Sequence, residues 1–385
     1  MKIGFVFDDT LDSTDGIQQY ILGLGEWLTA QGHVVHYLVG QTARTDIVGV
    51  HSLSRNVRVR FNGNRLSMPL PSARGPIKRL LEREKYVVLH VQVPYSPWMA
   101  HRVIMAAPTS TAIFGTFHIA PNSNVVRAAS KALAIWTRRS LKRFDTIVSV
   151  SNAAAELARD TYGLKTDVLP NVVSISRFAA AQSFERYKNV KTIVYLGRLV
   201  PRKGCMLLLE AVSRLRTTDP DLALQVVICG RGPLEASLKA FAAKHGLMDH
   251  IEFKGFISEE DKPRFLASAD VAVFPSSGGE SFGIVLLEAM AAGRPVVLGA
   301  NNPGYADVLS PYPDILFPVG DAPSLANKIR VFLQDNTERT NALLWQAEYV
   351  QNFDTEAVGK RLIAAYQAAI AEHNKQLGSV TTTMS

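Results

Sequence analysis

The feature that most constrains this chain is a rhythm: short apolar runs alternate with segments of helical period along nearly its whole length. Strands buried on both faces read as continuous apolar runs, so the pattern predicts parallel sheets covered by helices on both sides, an α/β fold. In the first half the runs cover 2–7, 34–39, 87–91, 111–117, 146–150 and 167–169. Between the first two, Ile17, Tyr20, Ile21, Leu24 and Leu28 recur on one helical face, and Gly32 ends that helix. A second set of runs covers 192–196, 225–229, 251–253, 271–274, 295–298 and 315–317. From Asn171 to Val190 no period is visible, which predicts a linker there. At 385 residues, 47% of them hydrophobic, the chain is too long for one core. We therefore expect two doubly wound, Rossmann-like domains at 1–173 and 174–354, facing each other across a cleft. A helix over about 355–374 should pack back on the first, and 376–385 should form a disordered tail.

The same sequence excludes several classes. The apolar opening meets Asp8 and Asp9 too soon for a signal-peptide core. The longest apolar stretch, Ile284 to Ala300, is interrupted by Glu288 and Arg294, so no membrane-spanning segment is expected. Cys205 and Cys229 have neither CxxC spacing nor a histidine cluster beside them, which points to reduced thiols and a cytoplasmic setting. The net charge of +8 is distributed unevenly, with the whole surplus in residues 1–173. Such asymmetry suits an anionic partner: a phospholipid surface, a phosphorylated acceptor or nucleic acid. Between Asn122 and Phe144, Arg127, Lys131, Arg138, Arg139, Lys142 and Arg143 interleave with apolar residues, as in a basic amphipathic helix lying in a membrane interface or packing on a sheet. Arg74, Lys78 and Arg79 form a second basic cluster after the loop 68–72. With no aromatic stacking platform beside this charge, nucleic acid is not the expected partner.

Doubly wound sheets bind ligands beyond the carboxyl ends of their strands, and two segments there carry chemistry. Gly197-Arg198-Leu199-Val200-Pro201-Arg202-Lys203-Gly204 follows a strand and opens a helix, where backbone amides and cations can hold phosphate. No convincing acidic metal motif accompanies it, because Asp219-Pro220-Asp221 falls at the wrong end of a strand. Neutralising a leaving diphosphate would then fall to two cations. The plain alternative is a basic surface turn. The second segment, Pro275-Ser276-Ser277-Gly278-Gly279-Glu280-Ser281-Phe282-Gly283, leads into a helix that carries Glu288 among apolar residues. Burying such a carboxylate without a partner is costly, so it should bond hydroxyls or cap local backbone groups. His118, at the end of its strand, reads either as a site residue or as a histidine bonded to backbone, and His90 and Gln92 read either as lining a site or as merely closing a strand.

Together, Gly197-Arg198 to Lys203-Gly204 and the pair Glu280 and Glu288, separated by seven residues, resemble the signature of the retaining glycosyltransferases of family four, which have the GT-B fold. The resemblance extends to Gly230-Arg231-Gly232-Pro233, Phe253-Lys254-Gly255-Phe256 and Val168-Leu169-Pro170-Asn171. Within the family it is greatest to the phosphatidylinositol mannosyltransferases. It implies that Arg198 and Lys203 grip the donor diphosphate, Glu280 meets the sugar hydroxyls and Glu288 the ribose. Gly197, Gly230, Gly279, Ser281, Phe282, Gly283 and Ile284 would line the donor, Ile257 and Lys262 would meet the base, and Gly16 would lie beside the diphosphate. Gln18 and His118 would face the acceptor, His118 close to the reacting hydroxyl. The implied reaction is metal-independent transfer of a hexose, by preference mannose from GDP-mannose, without a cofactor. Its acceptor would be a lipid-linked or phosphorylated hydroxyl at the inner face of the plasma membrane. The alternatives are a soluble transferase using a UDP-sugar and a small acceptor, or a membrane-associated protein that binds nucleotide sugar without turnover. Two positions depart from the family: Asp15-Gly16 replaces the usual glycine pair, and Asn171-Val172-Val173-Ser174 replaces the usual Asn-Gly-Val-Asp.

Overall fold

Thr192, Ile193, Val194 and Tyr195 are all buried, as are Val226 to Cys229 and Val271 to Phe274. Strands of this composition need cover on both faces, and in this computed structural model they have it. The structure describes residues 1–385 except 14, 62–63, 71, 120–123 and 384–385, with the side chains of 58–68, 124–129 and 379–383 also outside the description. The chain forms two units, Met1–Val172 with Thr355–Ser385, and Val173–Asp354.

In unit 1 the strands are β1 (Lys2–Phe7), β2 (Val34–Val39), β3 (Val50–Ser52), β4 (Asn56–Phe61), β5 (Asn64–Pro69), β6 (Val88–Gln92), β7 (Ala112–Phe117), β8 (Thr146–Ser149) and β9 (Asp167–Val168). Its helices are α1 (Gly16–Ala30), α2 (Arg74–Glu84), α3 (Met99–Ala106), α4 (Asn124–Leu141) and α5 (Asn152–Tyr162). Among the described residues the sheet has seven strands in the order β3-β2-β1-β6-β7-β8-β9, each pair parallel. β4 and β5 pair antiparallel as a separate ribbon. The sequence reading missed β3 and this ribbon, because three residues are too few to show a period and the ribbon alternates polar with apolar residues instead of forming the continuous apolar run of a strand buried on both faces.

Unit 2 holds α6 (Ile175–Ala179), β10 (Lys191–Leu196), α7 (Cys205–Thr218), β11 (Leu224–Cys229), α8 (Glu235–Lys244), β12 (Ile251–Gly255), α9 (Lys262–Ala267), β13 (Val271–Phe274) and α10 (Ile284–Ala291). β14 (Val296–Ala300), α11 (Pro303–Leu309), β15 (Leu316–Phe317), α12 (Ala322–Gln334) and α13 (Asn336–Tyr349) follow. The sheet order is β12-β11-β10-β13-β14-β15, parallel throughout.

Three expectations are corrected. Val173 belongs to unit 2, where its N–H donates to Phe353 and it bridges to Asp354. The stretch read as a linker holds α6 and a single 3-10 turn, Glu185–Tyr187, anchored by buried Phe178 and Tyr187 and by Phe184, whose ring lies tilted 4.7 Å from that of Phe265. Those aromatics are too irregularly spaced to read as an amphipathic period. The last helix, α14 (Thr355–Thr383), runs on through residues expected to be disordered. Residues 376–383 contain no proline, and extending a formed helix is far cheaper than nucleating one.

Both sheets have a switch point where strand order reverses, flanking β1 in unit 1 and β10 in unit 2. Ligand crevices form there, at the carboxyl ends of β1 and β6 and of β10 and β13.

Candidate active site

The unit 2 crevice is built by the two loops that leave β10 and β13. After β10 the chain makes a 3-10 turn, Pro201–Lys203, closed by Gly204 at φ 69°. A Cβ at Gly204 would lie 2.0 Å from the Pro275 carbonyl oxygen, so only glycine lets the two loops close on each other. Ser277 N–H donates to the Arg202 carbonyl at 2.8 Å, and the Tyr195 hydroxyl, buried beneath, donates to the Arg198 carbonyl at 3.1 Å. Arg198 itself is half-buried in the turn. Gly197 N–H donates to Cys229, and a Cβ on Gly230 would strike the Gly197 carbonyl at 1.8 Å, so the β10 and β11 exits are pressed together.

Glu280 is where the loops meet. Its Oε1 lies 2.8 Å from Lys203 Nζ, 2.7 Å from Arg202 Nη1 and 2.7 Å from Ser276 Oγ. Burial opposes ionisation of Glu280, yet Lys203, Ser276 and Arg202 hold its carboxyl below the ordinary range. Burial pushes the Lys203 ammonium down against the pull of Glu280, and Arg202 and Arg198 add to that push. The site therefore gathers two cations, Arg202 and Lys203, on one acid, with Arg198 near enough for its charge to act on Lys203. Beyond it Gly279 is exposed, Ser281 is half-buried, Phe282 is buried, and Gly283 at φ 91° caps α10, whose first free amides begin at Ile284.

Glu288, one helical turn further on, is 2% exposed and bonds Lys262 Nζ at 2.8 Å. Lys262 also lies 2.8 Å from Glu259. Burial raises the Glu288 carboxyl more than Lys262 lowers it; burial works against the Lys262 charge, but Glu288 and Glu259 keep its pKa above the ordinary value. The carboxylate expected to bond hydroxyls thus has a cation for a partner, and Lys262, expected at the base, is that cation. Ile257, half-buried, lies just beyond β12, and Glu252 within β12 bonds Lys254.

Arg202, Ser276 and Glu259 were missed as site residues. Arg202 sat inside a quoted motif, but a run Arg-Lys does not say which cation turns inward.

In unit 1, Gly16 opens α1. Gln18 is buried, and its amide donates to the Thr10 carbonyl and to Ser13 Oγ, each at 2.9 Å, bracing the loop that leaves β1. His118, 5% exposed, follows β7 and bonds a side chain, Gln92, rather than backbone. Among the described residues one group brings metal-ligating atoms together, His36, His51 and Glu84, within 4.8 Å of one another. Glu84 is already paired with Lys2 at 2.5 Å and Arg83 at 2.7 Å, and none of the expected site residues belongs to the group.

Two doubly wound parallel units, each with loops at a switch point of its sheet, define the class as a two-domain α/β protein, and comparison with known proteins gives the family. The model "Glycosyl transferases group 1" matches residues 176–343 and "Glycosyltransferase Family 4" matches 14–177. The phosphatidyl-myo-inositol mannosyltransferase of Propionibacterium freudenreichii is 30% identical, covering 96% of this chain and 95% of its own. That of Mycobacterium leprae is 29% identical, over 97% and 99%. A glycosyltransferase structure from Rickettsia africae superimposes with a TM-score of 0.75 at 17% identity, covering 96% of this chain and 99% of the other. This chain belongs to glycosyltransferase family 4 and has the GT-B fold.

Proposed function

We propose that the enzyme transfers mannose from GDP-mannose to a hydroxyl of phosphatidylinositol or a closely related inositol lipid, with retention of configuration and without a metal. The observation that carries this reading is the convergence of Lys203 and Arg202 on Glu280 beside the amino end of α10. As the bond from the anomeric carbon to the phosphate oxygen breaks, negative charge develops on the diphosphate. Lys203, Arg198 and the amides that follow Gly283 stabilise it there. Lys203 exchanges part of its contact with Glu280 for phosphate, and Glu280 then accepts hydroxyls of the sugar. Glu288 takes the ribose and Ile257 the base. The acceptor oxygen bonds to the anomeric carbon on the face the phosphate leaves, and its proton passes to the departing phosphate oxygen. The names of the full-length relatives support mannose and an inositol lipid.

Unit 1 supports a membrane-borne acceptor. On α4, Ile135 is 80% and Trp136 63% exposed, next to exposed Lys131, Arg138, Arg139 and Lys142, while the inward face is small and polar: Ser130, Thr137 and Ser140. The Arg127 side chain lies outside the described residues. Arg74, Lys78 and Arg79 are exposed on α2, and both helices pack on α3. No helix among the described residues is long and apolar enough to cross a membrane. Basic and aromatic side chains together suit an anionic lipid surface, where each cation near the surface contributes about 1 kcal/mol.

The test is transfer of labelled mannose from GDP-mannose into phosphatidylinositol vesicles, with the anomeric configuration of the product read by NMR. The expected result is an α-linked mannolipid formed in the presence of a chelator. A β-linked product would remove retention from the account, and turnover confined to UDP-sugars with soluble inositol phosphate would replace both substrates.

A further inference from the structure

Gln92 ends β6 and is fully buried. It stands in register with Thr116 on β7, two residues before His118. Its Oε1 lies 2.6 Å from His118 Nε2, while its own amide nitrogen donates to the His90 carbonyl at 3.4 Å. With its nitrogen turned toward the His90 carbonyl, the amide presents to His118 its oxygen, which only accepts. The nitrogen of His118 that meets it must carry the hydrogen. Directly after Gln92 the backbone turns through Val93 at φ 58°, a left-handed conformation that a β-branched residue adopts only under constraint. Two hydrogen bonds hold it there: Val93 N–H to the Thr116 carbonyl at 3.1 Å, and Ser96 N–H to the Val93 carbonyl at 3.0 Å. The turn leads the chain away from the sheet immediately after Gln92 and keeps the amide beside β7.

We propose that Gln92 is a positioning residue for His118, holding its ring as the Nε2–H tautomer so that Nδ1 presents a lone pair. This rests on the proposed function insofar as a substrate hydroxyl is what Nδ1 meets. A ring held this way accepts a hydrogen bond from the hydroxyl and orients its oxygen without taking a charge. The titratable groups that face the ring are Tyr20, edge-on at 5.1 Å from α1, and His90 on β6, which is itself tied to Tyr366 and Thr116. Burial lowers the His118 pKa to about 3, consistent with a ring that stays neutral while it works.

Long-range 1H–15N spectra of histidine-labelled full-length protein at neutral pH test this. The wild type should show Nε2 protonated and Nδ1 bare. Q92L should show a changed or mixed tautomer, with kcat lowered about a hundred-fold and the KM for GDP-mannose unchanged. If Q92L does not fold, the isosteric Q92E decides: its carboxylate should hold His118 as an imidazolium at neutral pH and move the acid limb of the kcat profile upward. A wild-type ring protonated at Nδ1, or His118 resonances and a pH profile unchanged in Q92E, overturns the proposal. Full activity in H118A would instead remove His118 from the reaction while leaving the tautomer result standing, so the two failures are distinguishable.

Discussion

Lys262 places one ammonium between two carboxylates, 2.8 Å from Glu288 and 2.8 Å from Glu259, with only 7% of its side chain exposed. Replacing it with methionine would leave Glu288 buried beside a like charge. K262M should therefore lower the unfolding free energy by about 3–5 kcal/mol, measured by urea titration, since removing one partner of a buried pair strands the other. A change below about 1 kcal/mol would mean that the pair is not buried as described. Two pH effects also belong at this scale. The Glu280 carboxyl is held below its unfolded value of 4.5, so its contribution is present above that pH and is lost as pH falls toward the folded value. His118 is depressed from 6.5 to about 3, so the unfolded state takes up its proton first. Its contribution is complete above pH 6.5 and declines by about 1.4 kcal/mol for each unit below it until about pH 3. Stability curves of H118F against wild type should diverge in that window and run parallel above it.

At the scale of elements, the positions read from the sequence are those where period and burial agree. β13 throughout and β10 from Ile193 onward are apolar runs, as strands covered by helices on both faces must be, and the loops that follow them carried the recognisable glycines. What escaped was decided by packing alone: the inward turn of Arg202, the pairing of Lys262 with Glu288, and the folding of 175–187 around scattered aromatics. A side chain's partner across two loops leaves no trace in local pattern. Gly204 was legible as part of a motif, but the reason for it, a carbonyl 2.0 Å from where a Cβ would stand, was not. G204A should accordingly lower the melting temperature and abolish nucleotide binding together, because both the strained φ and the collision force the loops apart. On α4, I135E combined with W136E should reduce binding to phosphatidylinositol-containing vesicles at least ten-fold in a sedimentation assay while leaving the melting temperature within about 2 °C. Unchanged vesicle binding would assign that face to something other than lipid.

At the scale of the whole molecule, the chain crosses from unit 1 to unit 2 at Val172 and returns at Thr355. The helical period over 355–374 made the helix readable; its return is seen in packing, with Val358, Leu362, Tyr366 and Ala369 buried in the core of unit 1. Each unit repeats the same logic, a parallel sheet whose strand order reverses, with the chemically loaded loops at the reversal. The central claim concerns the one in unit 2, that it holds a nucleoside diphosphate through Arg198, Lys203 and the amino end of α10. Calorimetric titration of the full-length protein with GDP, UDP and ADP, repeated on R198A and K203A that remain folded by circular dichroism, tests it most directly. The account predicts that GDP binds tightest and that either substitution weakens it more than ten-fold. Equal affinity for GDP in wild type and both variants, or heat from none of the three nucleotides, would contradict it.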